Sequence, residues 1–471
     1  MTSAPTSVLP APGARIFLVG IGGIGMSALA QLLRYQGYEV AGSDRGLDEP
    51  GKRGLYERLR AQGIALYAQD GSGPKDCAPD CLVFSTAVEP DNADLLAGAA
   101  LPRLQRAAAL AQCLNRLRAP QICVAGSSGK TSVTAWLASA LKALGKQVLM
   151  VNGGYVLDFE SRLMPGNFYA DANPDYIIVE VDESDRSISA FSPDYALLLN
   201  IGNDHYGEAE LRRVFSAFLL AAKQGAVLPH DLKQLAPAAL SQRYFARGPA
   251  AQAAPDLAYP LSFQANEQGC SFLVNGFSEP VNCRQNGLHS AWNACAVLQS
   301  LALLLPEQSA ALPASLSAFQ GVRQRFEVFG EQSGGSVKIN DYAHNPEKIC
   351  AAIESARLRF GTPLAIVFQP HGYGPLAFMR ESLQKSLTAC LQAEDQFLLL
   401  PVYYAGGSSS HSPSSEEVAA QYKSAGLPVQ AVAQRQAAEL ILQQNQRKTC
   451  TLVLGARDAS LRDWCKNLFH P

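Results

Sequence analysis

No apolar stretch in this 471-residue chain is long enough to cross a bilayer. The longest runs, such as Tyr195–Ile201, fall far short of the roughly 20 residues a membrane helix needs. The first thirteen residues have neither a basic n-region nor a continuous apolar h-region, so a secretory leader is not expected and a soluble, cytoplasmic protein is. Charge of one sign is also missing. With 39 Lys and Arg against 41 Asp and Glu, nothing draws the chain to nucleic acid or to an anionic membrane. Its eleven cysteines are scattered, with no Cys-x-x-Cys pair and no His-rich segment. Even the closest two, Cys77 and Cys81, have no neighbours to complete a zinc site, which leaves free, mostly buried thiols as the expectation. No internal repeat at a solenoid period is present.

What is present is an ordinary globular composition, 48% hydrophobic and 17% charged, in a chain too long for one core. Three strand–glycine–helix passages divide it. The first runs from Arg15–Gly20 into a helix over Ile24–Tyr35 and a second strand at Glu39–Asp44. Asp80–Ser85 reads as a further strand and Leu104–Leu117 as a closing helix. The second passage is Gln121–Ala125, a glycine loop, and a helix over Ser132–Leu144. Strands at Tyr176–Glu180 and Tyr195–Asn200 follow. From about Phe326 a third region offers strands at Ser336–Asn340, Leu364–Phe368, Gln396–Pro401 and Thr451–Leu454, with a helix at Pro346–Arg359. Apolar runs of this kind suit parallel strands buried on both faces. Gln234–Asp256, rich in Ala, Pro and Gln, reads as the least structured part and as the lead into irregular or β-rich insertions. The expected architecture is α/β, three consecutive domains each with a mainly parallel sheet, spanning 1–119, 120–322 and 323–471.

The central loop, Gly126-Ser127-Ser128-Gly129-Lys130-Thr131-Ser132, stands between an apolar strand and a helix, as a phosphate cradle requires. Glycines let the backbone wrap an anion, Lys130 reaches toward β- and γ-phosphates, and Thr131 or Ser132 offers a hydroxyl to Mg²⁺. The loop is shorter than the G-x-x-x-x-G-K-[ST] pattern, whose first glycine falls on Val124. Glu180 ends the next strand, where acidic residues commonly hold magnesium. Asp182, Glu183 and Asp185 beside it read as readily as a solvated acidic loop. Another strand ends in Asn200–His205, which places His205 as a metal or phosphate ligand in the same crevice. The first loop, Gly20-Ile-Gly22-Gly23-Ile24-Gly25, fits G-x-G-x-x-G, with Asp44 ending the second strand. It suits any diphosphate-bearing ligand, a dinucleotide included. In the third region Asp341–Pro346 and Gln369–Gly374 are strand-end loops with a histidine each, His344 and His371.

Together these motifs resemble the Mur ligases, and within them the branch that joins L-alanine to UDP-N-acetylmuramate. Val19–Ala30 resembles the family's uridine-diphosphate loop, which implies substrate contacts at Gly22, Gly23, Ile24 and Gly25. Ser43, Asp44, Ser85 and Thr86, with Asp91-Asn92 and Arg106-Ala107, match the same domain. Gly126–Ser132 resembles G-T-x-G-K-T-[ST], Glu180–Asp185 resembles E-A-D-E-S-D, and Asn200–His205 resembles N-I-x-x-D-H. The resemblance implies ATP and Mg²⁺ as cofactors, with Thr131, Glu180 and His205 on the metal. Gly287–Asn293 is similar to the G-x-H-N-x-x-N segment, implying His289 and Asn293 beside adenine. Gly321–Phe326 resembles the hinge whose arginine, here Arg325, meets the γ-phosphate. Asp341–Pro346 matches D-Y-x-H-x-P, implying a nucleotide contact for Asp341 and an amine-handling role for His344. Lys130, His205, Arg325 and His344 are the implied catalytic residues. The resemblance spans residues 14 to about 457, in order.

Departures fall on the acceptor side. Ser128 stands where the alanine-adding branch has histidine. Gly372 and the Gly374-Pro375 pair stand where its Q-P-H-R-Y-[ST]-R carries arginines, which leaves His371 and the next arginine, Arg380, as acceptor candidates. A glycine cannot grip a carboxylate as a guanidinium does. The family's G-A-G-D reads Gly455-Ala456-Arg457-Asp458, so Arg457 offers a replacement cation. Lys223 reads as an exposed helical lysine rather than a carbamylated one. The implied partners are a UDP-linked acid and an amino acid or amine, in a monomer or homodimer. A paralogue joining a different carboxylate and amine is an alternative. An NAD-dependent oxidoreductase, or a nucleotide-binding module without catalysis, are readings from other classes.

Overall fold

A computed structural model describes residues 8–183, 187–202, 207–248, 257–266, 268–330, 337–361, 363–404, 411–444 and 450–469. The chain divides into two compact units. One comprises Met1–Ser262, Phe272–Asn282 and Trp292–Val322; the other Phe263–Ser271, Cys283–Ala291 and Arg323–Pro471.

The first unit holds two sheets. In the N-terminal one, β1 (Arg15–Val19), β2 (Glu39–Asp44), β3 (Ala65–Ala68), β4 (Cys81–Phe84) and β5 (Arg103–Gln105) are all parallel, in the order β3-β2-β1-β4-β5. The strand order reverses at β1, so a crevice opens beyond the carboxyl ends of β1 and β4. The larger sheet contains β6 (Gln121–Ala125), β7 (Val148–Val151), β8 (Phe168–Ala170), β9 (Tyr176–Glu180), β10 (Tyr195–Leu198), β11 (Gly225–Pro229), β12 (Ser241–Phe245) and β13 (Leu257–Ala258). Its order is β13-β12-β11-β10-β6-β9-β7-β8, parallel except for the edge pair β7–β8. Every residue of β6 is buried, as a two-face-covered central strand demands. Trp136, on the helix Lys130–Ala143, is fully buried; it stacks on Phe319 at 5.3 Å and donates to the Leu316 carbonyl at 2.9 Å. Three short strands, β14 (Pro260–Asn266), β15 (Gly269–Val274) and β16 (Val281–Cys283), make a small separate sheet.

The second unit is built on β17 (Glu327–Phe329), β18 (Val337–Asp341), β19 (Leu364–Gln369), β20 (Gln396–Leu399), β21 (Val429–Ala431) and β22 (Cys450–Gly455). Their order is β17-β18-β22-β19-β20-β21, with only β17 antiparallel. Both inner strands β19 and β22 are buried throughout. The three α/β sheets match the expected fold class.

Two local expectations change. Leu104 and Gln105 belong to β5, and the helix expected to start at Leu104 starts at Arg106. Ser241–Phe245, inside the stretch expected to be least structured, is instead β12, paired in parallel with β11 over five residues. Among the described residues no helix is long and apolar enough to cross a membrane.

Candidate active site

The ends of β6, β9, β7 and β10 converge in the first unit, because β6 lies between β9 and β10 and the chain turns back across that point. Gly126 has φ of 140° and Gly129 of 86°, conformations open to glycine and costly for any side chain. Space is short as well. A Cβ on Gly126 would lie 3.0 Å from the Leu199 Cβ, and one on Gly129 would lie 3.0 Å from the Asn293 Oδ1. The loop is therefore bare backbone with Asn293 beside it and a helix opening at Lys130.

Asn200 locks this loop from the end of β10. Its Oδ1 accepts from the Ser128 N–H at 2.9 Å and its Nδ2 donates to the Ser128 carbonyl at 2.9 Å. Ser127 Oγ accepts from the Gly202 N–H at 2.9 Å. Lys130 curls back so that Nζ donates to the Gly126 carbonyl at 2.7 Å and to Glu183 Oε2 at 2.8 Å. Glu183, read from sequence as readily as a solvated residue, is only 2% exposed. Thr131 Oγ1 donates to Glu180 Oε1 at 3.0 Å, and the Gly153 N–H donates to Glu180 Oε2 at 2.7 Å. A hydroxyl and a carboxylate at that separation fit a hard divalent cation that keeps waters and borrows phosphate oxygens. His205, the third expected ligand, lies outside the described residues. Ser132 sits in the first turn of the helix.

Asn152, at the end of β7, was not singled out by the sequence motifs. It is 2% exposed, and its Oδ1 is buried with no hydrogen-bond partner. A buried orphan acceptor next to Gly153, which contacts Glu180, is a position where a ligand or water donor belongs. Its N–H donates to the Asn167 carbonyl at 2.9 Å. The side chain of Asn167, fully buried, donates to the Ile24 carbonyl at 2.7 Å and to Ser27 Oγ at 2.9 Å, and accepts from Gln31 at 3.0 Å. One amide thus ties the helix that opens at the first glycine loop to the backbone beside Glu180.

In that first loop Asp44 is a brace. Its Oδ2 accepts from the Gly22 N–H at 2.8 Å, and its Oδ1 accepts from the Gly46 N–H at 2.8 Å and the Tyr56 hydroxyl at 2.9 Å. Lys52 Nζ stands 3.5 Å from the same Oδ1. Gly22 is bare by necessity, since a Cβ would collide with the Tyr56 hydroxyl and the Asp44 carboxylate. The bonds to Asp44 hold the turn at Gly22 and leave Oδ2 with lone-pair capacity for a further donor. Ser43 donates to the buried carboxylate of Asp94, which also accepts from the Gly71 N–H. Gly23, Ile24 and Gly25 open the helix, and the Arg106 guanidinium lies against Gly25, 3.0 Å from where its Cβ would be. Helix N-terminus and guanidinium together suit an anion. Ser85 and Thr86 follow the end of β4, in the same crevice.

The second unit carries the remaining residues. Arg325 sits between Gln324 and Phe326, both left-handed at φ of 58° and 51°. Two non-glycine residues in that region mark a strained turn held by its surroundings. Asp341 holds it: Oδ2 accepts from the Phe326 N–H and Oδ1 from the Ala343 N–H, both at 2.7 Å. Burial pushes its carboxyl up, against the opposing pull of Arg325. The Arg325 guanidinium lies 4.7 Å over the Tyr342 ring. His344 Nδ1 is 2.9 Å from the Tyr342 carbonyl, which can only accept, so Nδ1 carries the proton and Nε2 is the basic nitrogen. His371 packs edge-on against His344 at 5.0 Å. Burial, then the charges of His344 and Arg457, hold it down at about 4, so it is neutral near pH 7.

Arg457, itself left-handed at φ of 70°, is therefore the guanidinium whose charge reaches His371. Arg380 lies further along the helix Tyr373–Cys390, its carbonyl accepting from Tyr422 at 2.6 Å. His289 is held down at about 4 by burial, near the close approach of Gly287 and Ser355. Lys223 is exposed, as expected, but it lies beyond the end of the helix Glu208–Leu220 and stands 3.9 Å from Asp194.

Comparison with known proteins places the chain in a family. Residues 15–118 match a family model described as Mur ligase family, catalytic domain; residues 124–301 match the Mur ligase middle domain, and 324–457 the Mur ligase, glutamate ligase domain. A UDP-N-acetylmuramate–L-alanine ligase of Streptomyces avermitilis is 31% identical over 437 residues, 89% of each chain. One of Hyphomonas neptunium is 32% identical over 429 residues, 85% of each. Among solved structures, the UDP-N-acetylmuramate–alanine ligase of Thermotoga maritima superposes with a TM-score of 0.78 at 25% identity, covering 96% of this chain and 98% of that one. A murein peptide ligase of Psychrobacter arcticus, at 20% identity, shares the fold with a TM-score of 0.68 over 97% and 98% of the chains.

Proposed function

The chain belongs to the Mur ligase family, and we propose that it is an ADP-forming ligase that joins the carboxylate of UDP-N-acetylmuramate, or a similar UDP-linked acid, to an amino acid such as L-alanine. The observation that carries this reading is the Gly126–Lys130 loop with Thr131, Glu180 and Asn293 gathered around it. The reaction passes the γ-phosphoryl group of ATP to the acid, and the acyl phosphate then acylates the amine, releasing phosphate.

Two anions must meet in this chemistry, so the protein supplies cations and fixed dipoles. The loop N–H groups and the helix end cradle the phosphates, and Lys130 exchanges Glu183 and the Gly126 carbonyl for phosphate oxygens. Thr131 and Glu180, with His205, would hold Mg²⁺, which neutralises charge on the triphosphate. Gly22–Gly25 and Arg106 bind the diphosphate of the UDP-linked acid. Arg325 meets the γ-phosphate. His344 Nε2 takes the proton of the incoming ammonium, with neutral His371 packed beside it. Arg457 is the cation offered to the carboxylate of the amino acid.

The test is phosphate release with UDP-N-acetylmuramate against a panel of amino acids and amines. Release dependent on both acid and amine is expected, with no change in NADH absorbance. In Lys130→Ala it falls to background. Unchanged turnover in that variant overturns the loop assignment, and no release with this donor and any amine moves the substrate outside UDP-N-acetylmuramate.

A further inference from the structure

Two cysteines of the second unit face each other outside the residues discussed so far. Cys350 lies one turn into the helix Pro346–Phe360, and Cys390 is the last residue of the helix Tyr373–Cys390. Their sulfurs are 2.7 Å apart, and both residues are only partly buried. The positions are not left to chance. Arg357, on the first helix, donates to the Cys390 carbonyl at 3.1 Å and to Asp395 Oδ2 at 2.6 Å, which clamps the end of the second helix onto the first.

We propose that Cys350 and Cys390 form an oxidisable dithiol, a site where a low-molecular-weight disulfide closes a reversible link between these two helices. The sulfurs are within hydrogen-bonding reach, and either can donate. With Cys390 as donor, the Cys350 thiol falls below its usual range and that of Cys390 rises. Cys350 is thus the attacking sulfur. Its thiolate attacks one sulfur of the oxidant, expelling a thiolate and forming a mixed disulfide. Cys390 then loses its proton and attacks the Cys350 sulfur, expelling the second thiolate. Two protein thiols are oxidised, one small disulfide is reduced to two thiols, and those thiols carry away both protons.

The contrast within the same unit is Cys270 and Cys283. Their sulfurs are 3.4 Å apart, but the residues are 1% and 7% exposed, and the hydrogen bond to Cys270, then burial, hold the Cys283 thiol far up. Close sulfurs without access do not make a reactive site.

The experiment uses the full chain, reduced, freed of reductant and incubated with oxidised glutathione at mildly alkaline pH, then alkylated and mapped by peptide mass. A peptide pair linked through Cys350 and Cys390 is expected, free of glutathione and reversed by dithiothreitol. Cys390→Ser removes the resolving thiol, so glutathione accumulates on Cys350. Cys350→Ser removes the attacking one, and modification of Cys390 slows by at least about tenfold. The proposal is overturned if both cysteines of the wild-type protein are alkylated after oxidation. It is equally overturned if each carries glutathione without linking, or if Cys270–Cys283 links first.

Discussion

His371 and His289 are both held near 4 by burial, well below the ordinary value of an imidazole. A depressed histidine stabilises the folded chain fully above its unfolded value, roughly 6.5, and that stability drains away as pH falls toward the folded value. The unfolded chain takes up protons that the native one refuses. Thermal melting between pH 7 and pH 4 is expected to show the second unit losing stability, and His371→Gln to lose less of it over the same window. Equal acid sensitivity of variant and wild type contradicts the burial of His371. On the proposed function, catalysis changes in the same direction. With His344 Nε2 as the proposed base, protonating it removes the acceptor for the amine's proton, so amine-dependent phosphate release is expected to fall with acid.

At the scale of strands and helices, the motif-bearing elements were legible and the purely structural ones were not. β1, β6, β9, β10, β18 and β19 announced themselves as apolar runs ending in glycine or in acidic and histidine residues, and all are present near the expected positions. β12 was not legible: Ser-Gln-Arg-Tyr-Phe has three polar residues, and its strand state comes from the row of unpaired groups that β11 presents. The same split holds for site residues. Gly126–Thr131 and Glu180 are recognisable because phosphate binding dictates residue types at fixed spacing. Asn152 and Asn167 are single amides whose roles depend on contacts 15 residues apart in sequence and on a third segment near Ile24, which no local pattern encodes. Glu183 was ambiguous because burial, not its neighbours, distinguishes a pairing carboxylate from a solvated one.

The helix after the loop depends on packing more than on its own sequence. Trp136 buries its ring against Phe319 and satisfies its indole N–H on Leu316. Trp136→Ala removes both, at an expected cost of about 3–5 kcal/mol, read as a lower urea midpoint for the first unit. A shift under about 1 kcal/mol would mean that neighbouring side chains collapse into the space.

On the scale of the whole molecule, each α/β sheet brings one strand-end loop cluster, and the chemistry is divided among them. On the proposed function, the first sheet would offer a diphosphate site, the second the nucleotide loop, and the third the imidazole pair and Arg457. The Asn167 amide is the feature through which the first two communicate. It holds the Ile24 carbonyl with its side chain and the Asn152 N–H with its backbone, a direct tie between the two loops. If ligands bind at both, any coupling carried by this tie is reciprocal. Asn167→Ala frees the side-chain end of that tie. Titration of the variant with UDP-N-acetylmuramate, alone and with nucleotide present, is expected to show the second ligand altering the affinity for the first less than in the wild type. An unchanged ratio would place the coupling elsewhere. On the proposed function, this tie helps set the spacing between the two loops, and with it the length of acid that can bridge them.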